Sequence, residues 1–222
     1  MFSVIFIVQP HKETFDDYLE HAKELKPVLE SIDGFIDNER FGSKRKERRV
    51  LSLSTWRDEK SVIRWRTETR HHHTQALGRS DIFEDYHLRV GEISADTHPP
   101  HGLGVVGQRF DLTETGIAKA MTITEINAVE EKPAIAAAEL SGALRLDEDA
   151  PGLVDHEIFE SIYNPGKLLL LLAWKDAADA EAWVPAETSG IRPRHRHVRV
   201  IRDYSMRDRR ETPQYYPPVP ER

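Results

Sequence analysis

"FGSKRKERRVLSLSTWRDEKSVIRW", residues 41–65, has a counterpart later in the chain, "FESIYNPGKLLLLLAWKDAADAEAW", residues 159–183. Phe41 and Phe159 differ by 118. So do Ser43 and Ser161, Leu51 and Leu169, Leu53 and Leu171, Trp56 and Trp174, Asp58 and Asp176, and Trp65 and Trp183. The chain has only 4 tryptophans, so two Trp pairs at one offset point to an internal duplication. Extended without a gap, the offset matches Gly34 with Gly152, Asp37 with Asp155 and Glu39 with Glu157. It also matches Asp85-Tyr86 with Asp203-Tyr204, and Arg89 with Arg207.

Each unit reads strand, helix, strand, strand, helix, strand. "FSVIFIV" (2–8) is β-branched and aromatic. Phe15, Tyr18, Leu19, Ala22, Leu25 and Leu29 recur at helical spacing and predict a helix over 13–30. Asp33-Gly34 signals a turn, and 35–42 with 49–56 form a hairpin. The second hairpin turns at Asn164-Pro165-Gly166. Asp58 and Asp176 fit the N-caps of the second helices. "FEDYHLRVGEI" and "RHVRVIRDYSM" are the last strands. The βαββαβ order is the ferredoxin-like split βαβ, an α+β fold.

"VIFIV" and "LLLLLA" are apolar on both faces, so both faces need cover. Helices cover one face and the sheet of the sister unit covers the other, which makes an α/β-barrel-like pseudo-dimer within one chain. The predicted boundaries are a first domain over 1–94 and a linker over 95–118, with a short strand near Val105 to Phe110. A second domain follows over 119–210, then an extended proline-rich tail over 211–222. Whether two such chains pair further into a homodimer stays open.

A net charge of −7 argues against a general nucleic-acid binder. The absence of cysteine removes disulfides and thiolate chemistry. The apolar start has no basic region and is too short to span a bilayer, and "KLLLLLAW" is equally short, so a cytoplasmic protein off the membrane is the expectation.

"DEKSVIRWRTETRHHHTQALGRSDIFEDYHLRV" resembles the antibiotic biosynthesis monooxygenase family. The family pattern falls on Trp65-Arg66, His71, Gln75, Gly78-Arg79 and Tyr86. It is specific over roughly 2–93 and weaker in the second unit, where Ile191-Arg192-Pro193 replace the His and Gln positions. The resemblance implies a ferredoxin-like fold that pairs into an α/β barrel. Some members oxidise phenolic polyketides or quinols with O₂ and no cofactor; a related branch degrades haem. Gln75 stands where that branch has its haem-ligating His, and Gln is a poor haem ligand. No metal, haem or flavin is expected.

Three consecutive histidines, His71-His72-His73, lie about 100° apart on a helix and cannot converge on one ion. On a continuous helix Val62, Thr69, His72 and Ala76 share the face of Trp65, and His71 shares another with Gln75. His71 matches the family position and is the candidate catalytic base; the plainer reading is a partly solvated helix face. Trp65, Tyr86, Gln75, Trp56, Phe41 and Arg79 are the candidate substrate-binding residues; for the aromatic ones and their offset partners Phe159, Trp174, Trp183 and Tyr204, which could line a pocket, the plainer reading is core and interface packing. "GLGVVG" (102–107) matches a dinucleotide fingerprint but lacks its strand and helix. The arginine-rich stretch near residue 200 reads as a strand paired with neighbouring carboxylates. Pro185 shortens the second helix of the second unit. The function that follows is cofactor-independent monooxygenation of a small aromatic or quinol-like compound. The alternative is a non-catalytic binding or scaffold protein of the same fold.

Overall fold

The computed structural model describes residues 1–127, 135–187 and 192–213, the side chains of 72, 73 and 76 excepted. The first unit comprises β1 (Phe2–Pro10), α1 (Phe15–Ser31), β2 (Phe35–Ser43), β3 (Val50–Trp56), α2 (Glu59–Thr67) and α3 (Thr69–Leu77). A π-turn (Gly78–Ile82) and β4 (Phe83–Asp96) complete it. The second comprises β5 (Ala120–Ile126), a 3-10 turn (Ala137–Glu139) running into α4 (Leu140–Ala143), β6 (Leu153–Ser161), β7 (Leu168–Trp174), α5 (Ala177–Ala182) and β8 (Arg194–Ser205).

The strands close into one antiparallel barrel in the order β1-β3-β2-β6-β7-β5-β8-β4. The expected strand near Val105–Phe110 does not form: 97–119 has no regular element, and Val106 and Phe110 face solvent. A closed barrel leaves no edge for a ninth strand to join. The tail beyond 213 lies outside the described residues.

The duplication is visible in the strand pairing. Phe2 pairs with Trp56, and Ala120 with Trp174; Phe35 pairs with Trp56, and Leu153 with Trp174. Both hairpins shift register at the same place, after Phe35 and after Leu153. Gly34 (φ 89°) and Gly152 (φ 78°) make the same left-handed turn. A Cβ there would sit 1.9 Å from Ser61 Oγ in one unit and 1.8 Å from Asp179 Oδ2 in the other. Asp58 accepts from the Ser61 amide at 2.8 Å and Asp176 from the Asp179 amide at 2.9 Å, so both caps form.

The last strands depart from that offset. Phe2 pairs with Glu92 but Ala120 with Arg199, so equivalent residues are 107 apart, 11 fewer than 118. The matches Tyr86/Tyr204 and Arg89/Arg207 are therefore corrected: Arg89 corresponds to Arg196, and Tyr86 to Pro193. The missing residues lie between Trp183 and β8. Among the described residues α5 has 6 where α2 and α3 have 9 each, and earlier in the unit α4 has 4 where α1 has 17.

Both seams between the units are isologous. On β2–β6, Phe41 pairs with Ser161 and Ser43 with Phe159, about a centre at Gly42–Glu160. On β4–β8, Arg89 pairs with Asp203 and Asp96 with Arg196, about a centre at Glu92–Arg199. Such reciprocity is what a two-fold axis imposes on a dimer interface. Ile5, Phe41 and Leu53 of one unit and Ile123, Phe159 and Leu171 of the other fill the shared interior.

Phe41 and Phe159 are both fully buried and occupy equivalent places in that interior. Phe41→Ala and Phe159→Ala should each cost ~3–5 kcal/mol, read by chemical denaturation. A loss at one position only would mean that the units do not share one core.

Candidate functional site

A cavity of about 460 Å³ lies outside the first sheet, beneath α1, α2, α3 and the π-turn. Alternate strand residues point out of the barrel and make its floor: Val4 and Phe6 of β1, Ser52 and Ser54 of β3, Leu88 and Val90 of β4. Asn38 and Arg40 of β2 form one side. Tyr18, Ala22, Leu25 and Leu29 of α1 roof it. The far side comes from the second unit: Arg202 and Tyr204 of β8, then Arg209, Thr212 and Pro213. Cavities of this size, mostly apolar with a few polar groups, suit small molecules.

The helical layer breaks at Glu68, whose ψ of 132° ends α2. The Glu68 carboxylate then accepts from the His71 amide at 2.8 Å and caps α3. The helix is not continuous, so the facial assignment from Trp65 is corrected. His71 stacks flat on Trp65, with ring centroids 3.8 Å apart and planes 9° from parallel. His71 Nδ1 lies 2.8 Å from the Trp65 carbonyl oxygen. A carbonyl only accepts, so Nδ1 carries the proton and Nε2 is the basic nitrogen, 3.3 Å from the Gln75 amide.

Of the sequence candidates, the structure places Trp65, His71, Gln75, Arg79 and Tyr86 at the cavity. Phe41 and Trp56 are not brought there. Phe41 alternates with Arg40 and so faces the barrel interior. Trp56 sits fully buried at the end of β3, edge-on to Phe35 at 5.5 Å. It acts on the site at one remove, donating its Nε1 hydrogen to Ser54 Oγ at 2.9 Å. Tyr86 belongs to an aromatic wall with Phe6 and Phe83 and accepts a hydrogen bond from Arg209. Sequence reasoning missed Arg40, Asn38, Arg202 and Arg209, and it gave Tyr204 only as an aromatic of the second unit. Strand alternation signals the first two; nothing local brings the others to this cavity, because pairing of β4 with β8 does so. Among the described residues, no group of three or more His, Asp or Glu side chains is arranged to hold a metal.

The equivalent face of the second unit is built differently. Val4, Phe6, Leu88 and Val90 become Thr122, Thr124, His195 and His197. Trp183 comes down onto His195 at 5.4 Å, and Leu140 and Leu144 pack with Leu168, Leu170 and Leu172. Ile191 lies outside the described residues. His195 Nδ1 meets Thr124 Oγ1 at 2.8 Å. Burial, then His197 beside it at a ring distance of 4.7 Å, pushes the His195 imidazole down to about 4.

The folded chain keeps His195 neutral while the unfolded chain protonates it near its ordinary value of 6.5. This stability is therefore fully present above pH 6.5 and declines, by up to ~3 kcal/mol, as pH falls to 4. His195→Gln should flatten stability between pH 6.5 and 4 in urea titrations; an unchanged slope would assign the acid sensitivity to other groups.

A protein of Pyricularia oryzae named jasmonate monooxygenase ABM is 40% identical over 224 residues, covering 99% of this chain and all of its own. Residues 1–77 match the family model described as antibiotic biosynthesis monooxygenase. A solved aldoxime dehydratase in complex with butyraldoxime shares the fold at 12% identity, with a TM-score of 0.59 over 92% of this chain and 81% of that one. The family match falls on the unit that carries the cavity and its His71 pair, the relative spans both units, and the chain belongs to the antibiotic biosynthesis monooxygenase family.

Proposed function

We propose that the chain is a monooxygenase that oxidises a small phenol or quinol with O₂ in the first unit's cavity, without a cofactor. The observation that carries this is His71, stacked on Trp65 with its basic nitrogen set by the Trp65 carbonyl, at a mostly apolar cavity. A substrate hydroxyl replaces the Gln75 amide at Nε2 and gives up its proton there. The electron-rich ring carbon of the phenolate reacts with O₂. One oxygen atom stays as a quinone carbonyl and the other leaves as water, so the substrate supplies all four electrons. The aromatic wall of Phe6, Phe83 and Tyr86 orients the ring, and burial excludes water.

Jasmonate, which the Pyricularia relative is named for, is the second substrate candidate. The aliphatic roof and floor at Leu25, Leu29, Leu88 and Val90 favour it. Hydroxylating an unactivated carbon consumes two further electrons, so this reaction needs a co-reductant of the flavin or nicotinamide class.

The test is O₂ uptake by the purified chain with phenols and quinols, and with jasmonate plus a reductant. Turnover should appear with one class, and His71→Ala should lower kcat/KM by ~10²-fold or more. Trp183→Ala should chiefly lower thermal stability. Binding without O₂ uptake by any class would leave the rival reading, a non-catalytic binding protein.

A further inference from the structure

The arginines around the cavity differ from those elsewhere on the chain. On β8, Arg194 pairs with Asp96, Arg196 with Glu125 and Arg199 with Glu92. Arg202, next outward on the same strand, lines the cavity and has no such partner. The same holds for Arg40, Arg66, Arg79 and Arg209: among the described residues, none of the five cavity arginines has a carboxylate within 4 Å. Glu59, the one acid in the described lining, is already bound to Arg109 at 2.5 Å. Asp111, whose field reaches Arg202, is likewise held by Arg109. An acidic chain has thus left a set of cations without a described carboxylate partner around an apolar cavity.

Three of them face one pair of tyrosines. Arg202 stands two places before Tyr204 on the same side of β8, Arg209 donates to the hydroxyl of Tyr86, Arg66 of α2 lines the same cavity, and all three charges favour the ionised form of the Tyr204 phenol. This corner runs along the β8 side of a floor made of Val4, Phe6, Leu88 and Val90 with Ser52 and Ser54, Arg202 beside Val90 and Tyr204 beside Leu88. Two of the three cations come from the second unit. Guanidinium forks bind planar carboxylates in pairs of charge-assisted hydrogen bonds.

We infer that this cavity selects amphipathic carboxylates, with the carboxylate at the Arg66–Arg202–Arg209 corner and the apolar body over the floor of the first sheet. Second-unit residues therefore read the charge of a substrate processed at the first. The inference rests on the reading of this cavity as the substrate site, and it narrows that substrate to an acid.

The test measures binding alone, by titration calorimetry without turnover, using 1-naphthylacetate and its neutral, size-matched analogue 1-naphthylacetamide. The acid should bind at least about tenfold tighter, in line with ~1.4 kcal/mol from a charge-assisted contact. Arg202→Gln with Arg209→Gln should abolish that preference, the acid falling to the affinity of the amide in the same variant, whereas Arg207→Gln, an exposed arginine off the cavity, should keep it. Equal binding of acid and amide by the unaltered chain would overturn the inference, as would no binding of either, or a preference that survives the double substitution. A preference for the acid in a chain that turns over no substrate would sink the monooxygenase reading and leave this one standing.

Discussion

A four-stranded sheet with apolar side chains on both faces cannot stand alone in water, and everything else in this molecule follows from how the second face is covered. Ile5 and Ile7 point one way from β1 while Val4 and Phe6 point the other. The inner set is buried only because β2 meets β6 and β4 meets β8, closing eight strands around one interior. The seams are reciprocal, as in a homodimer, and covalent linkage makes the partner permanent. Both seams also carry charge between the units. On β2–β6 Ser43 donates to Glu157 at 2.6 Å and Ser161 to Glu39 at 2.5 Å, the same contact made twice; on β4–β8 Arg89 pairs with Asp203 at 2.9 Å.

Once the partner is fixed in the chain, the two units are free to diverge on their outer faces while their inner faces stay matched. The outer face of the first sheet keeps a thick helical layer and a cavity. The second has lost 11 residues before its last strand, and Trp183 with His195 occupies the corresponding ground. Its imidazoles replace Leu88 and Val90, so the face changes from apolar floor to polar packing at the same backbone positions. Divergence did not make the second unit a bystander: β8 and the segment after it supply one side of the first unit's cavity.

Within that cavity the decisive local event is the interruption at Glu68. One residue ends α2 through its extended backbone and caps α3 through its carboxylate, setting α3 so that His71 lies flat on Trp65. Along an uninterrupted helix a residue six positions on would sit well away from the face of the first. The break makes the pair adjacent, and the Trp65 carbonyl, which also accepts from the Glu68 amide at 3.3 Å, fixes the imidazole tautomer. Backbone geometry thus determines which nitrogen of His71 is basic.

The sequence by itself determined the duplication, the ferredoxin-like order, the hairpins, the capping aspartates and the family. All of these are local or periodic, and an alternation of two or a repeated Trp survives in one dimension. It also singled out Trp65, His71, Gln75, Arg79 and Tyr86, which the structure brings to one cavity. Only the tertiary structure decided that Phe41 faces the barrel interior and Trp56 packs beneath the helices, that the last strand is out of step by 11 residues, and that Arg202, Tyr204 and Arg209 stand at the first unit's cavity. Those facts rest on strand pairing between β4 and β8, more than a hundred residues apart. A register shift turns no local preference over and leaves no mark on composition, yet it sets which side chains share a face and which unit supplies them.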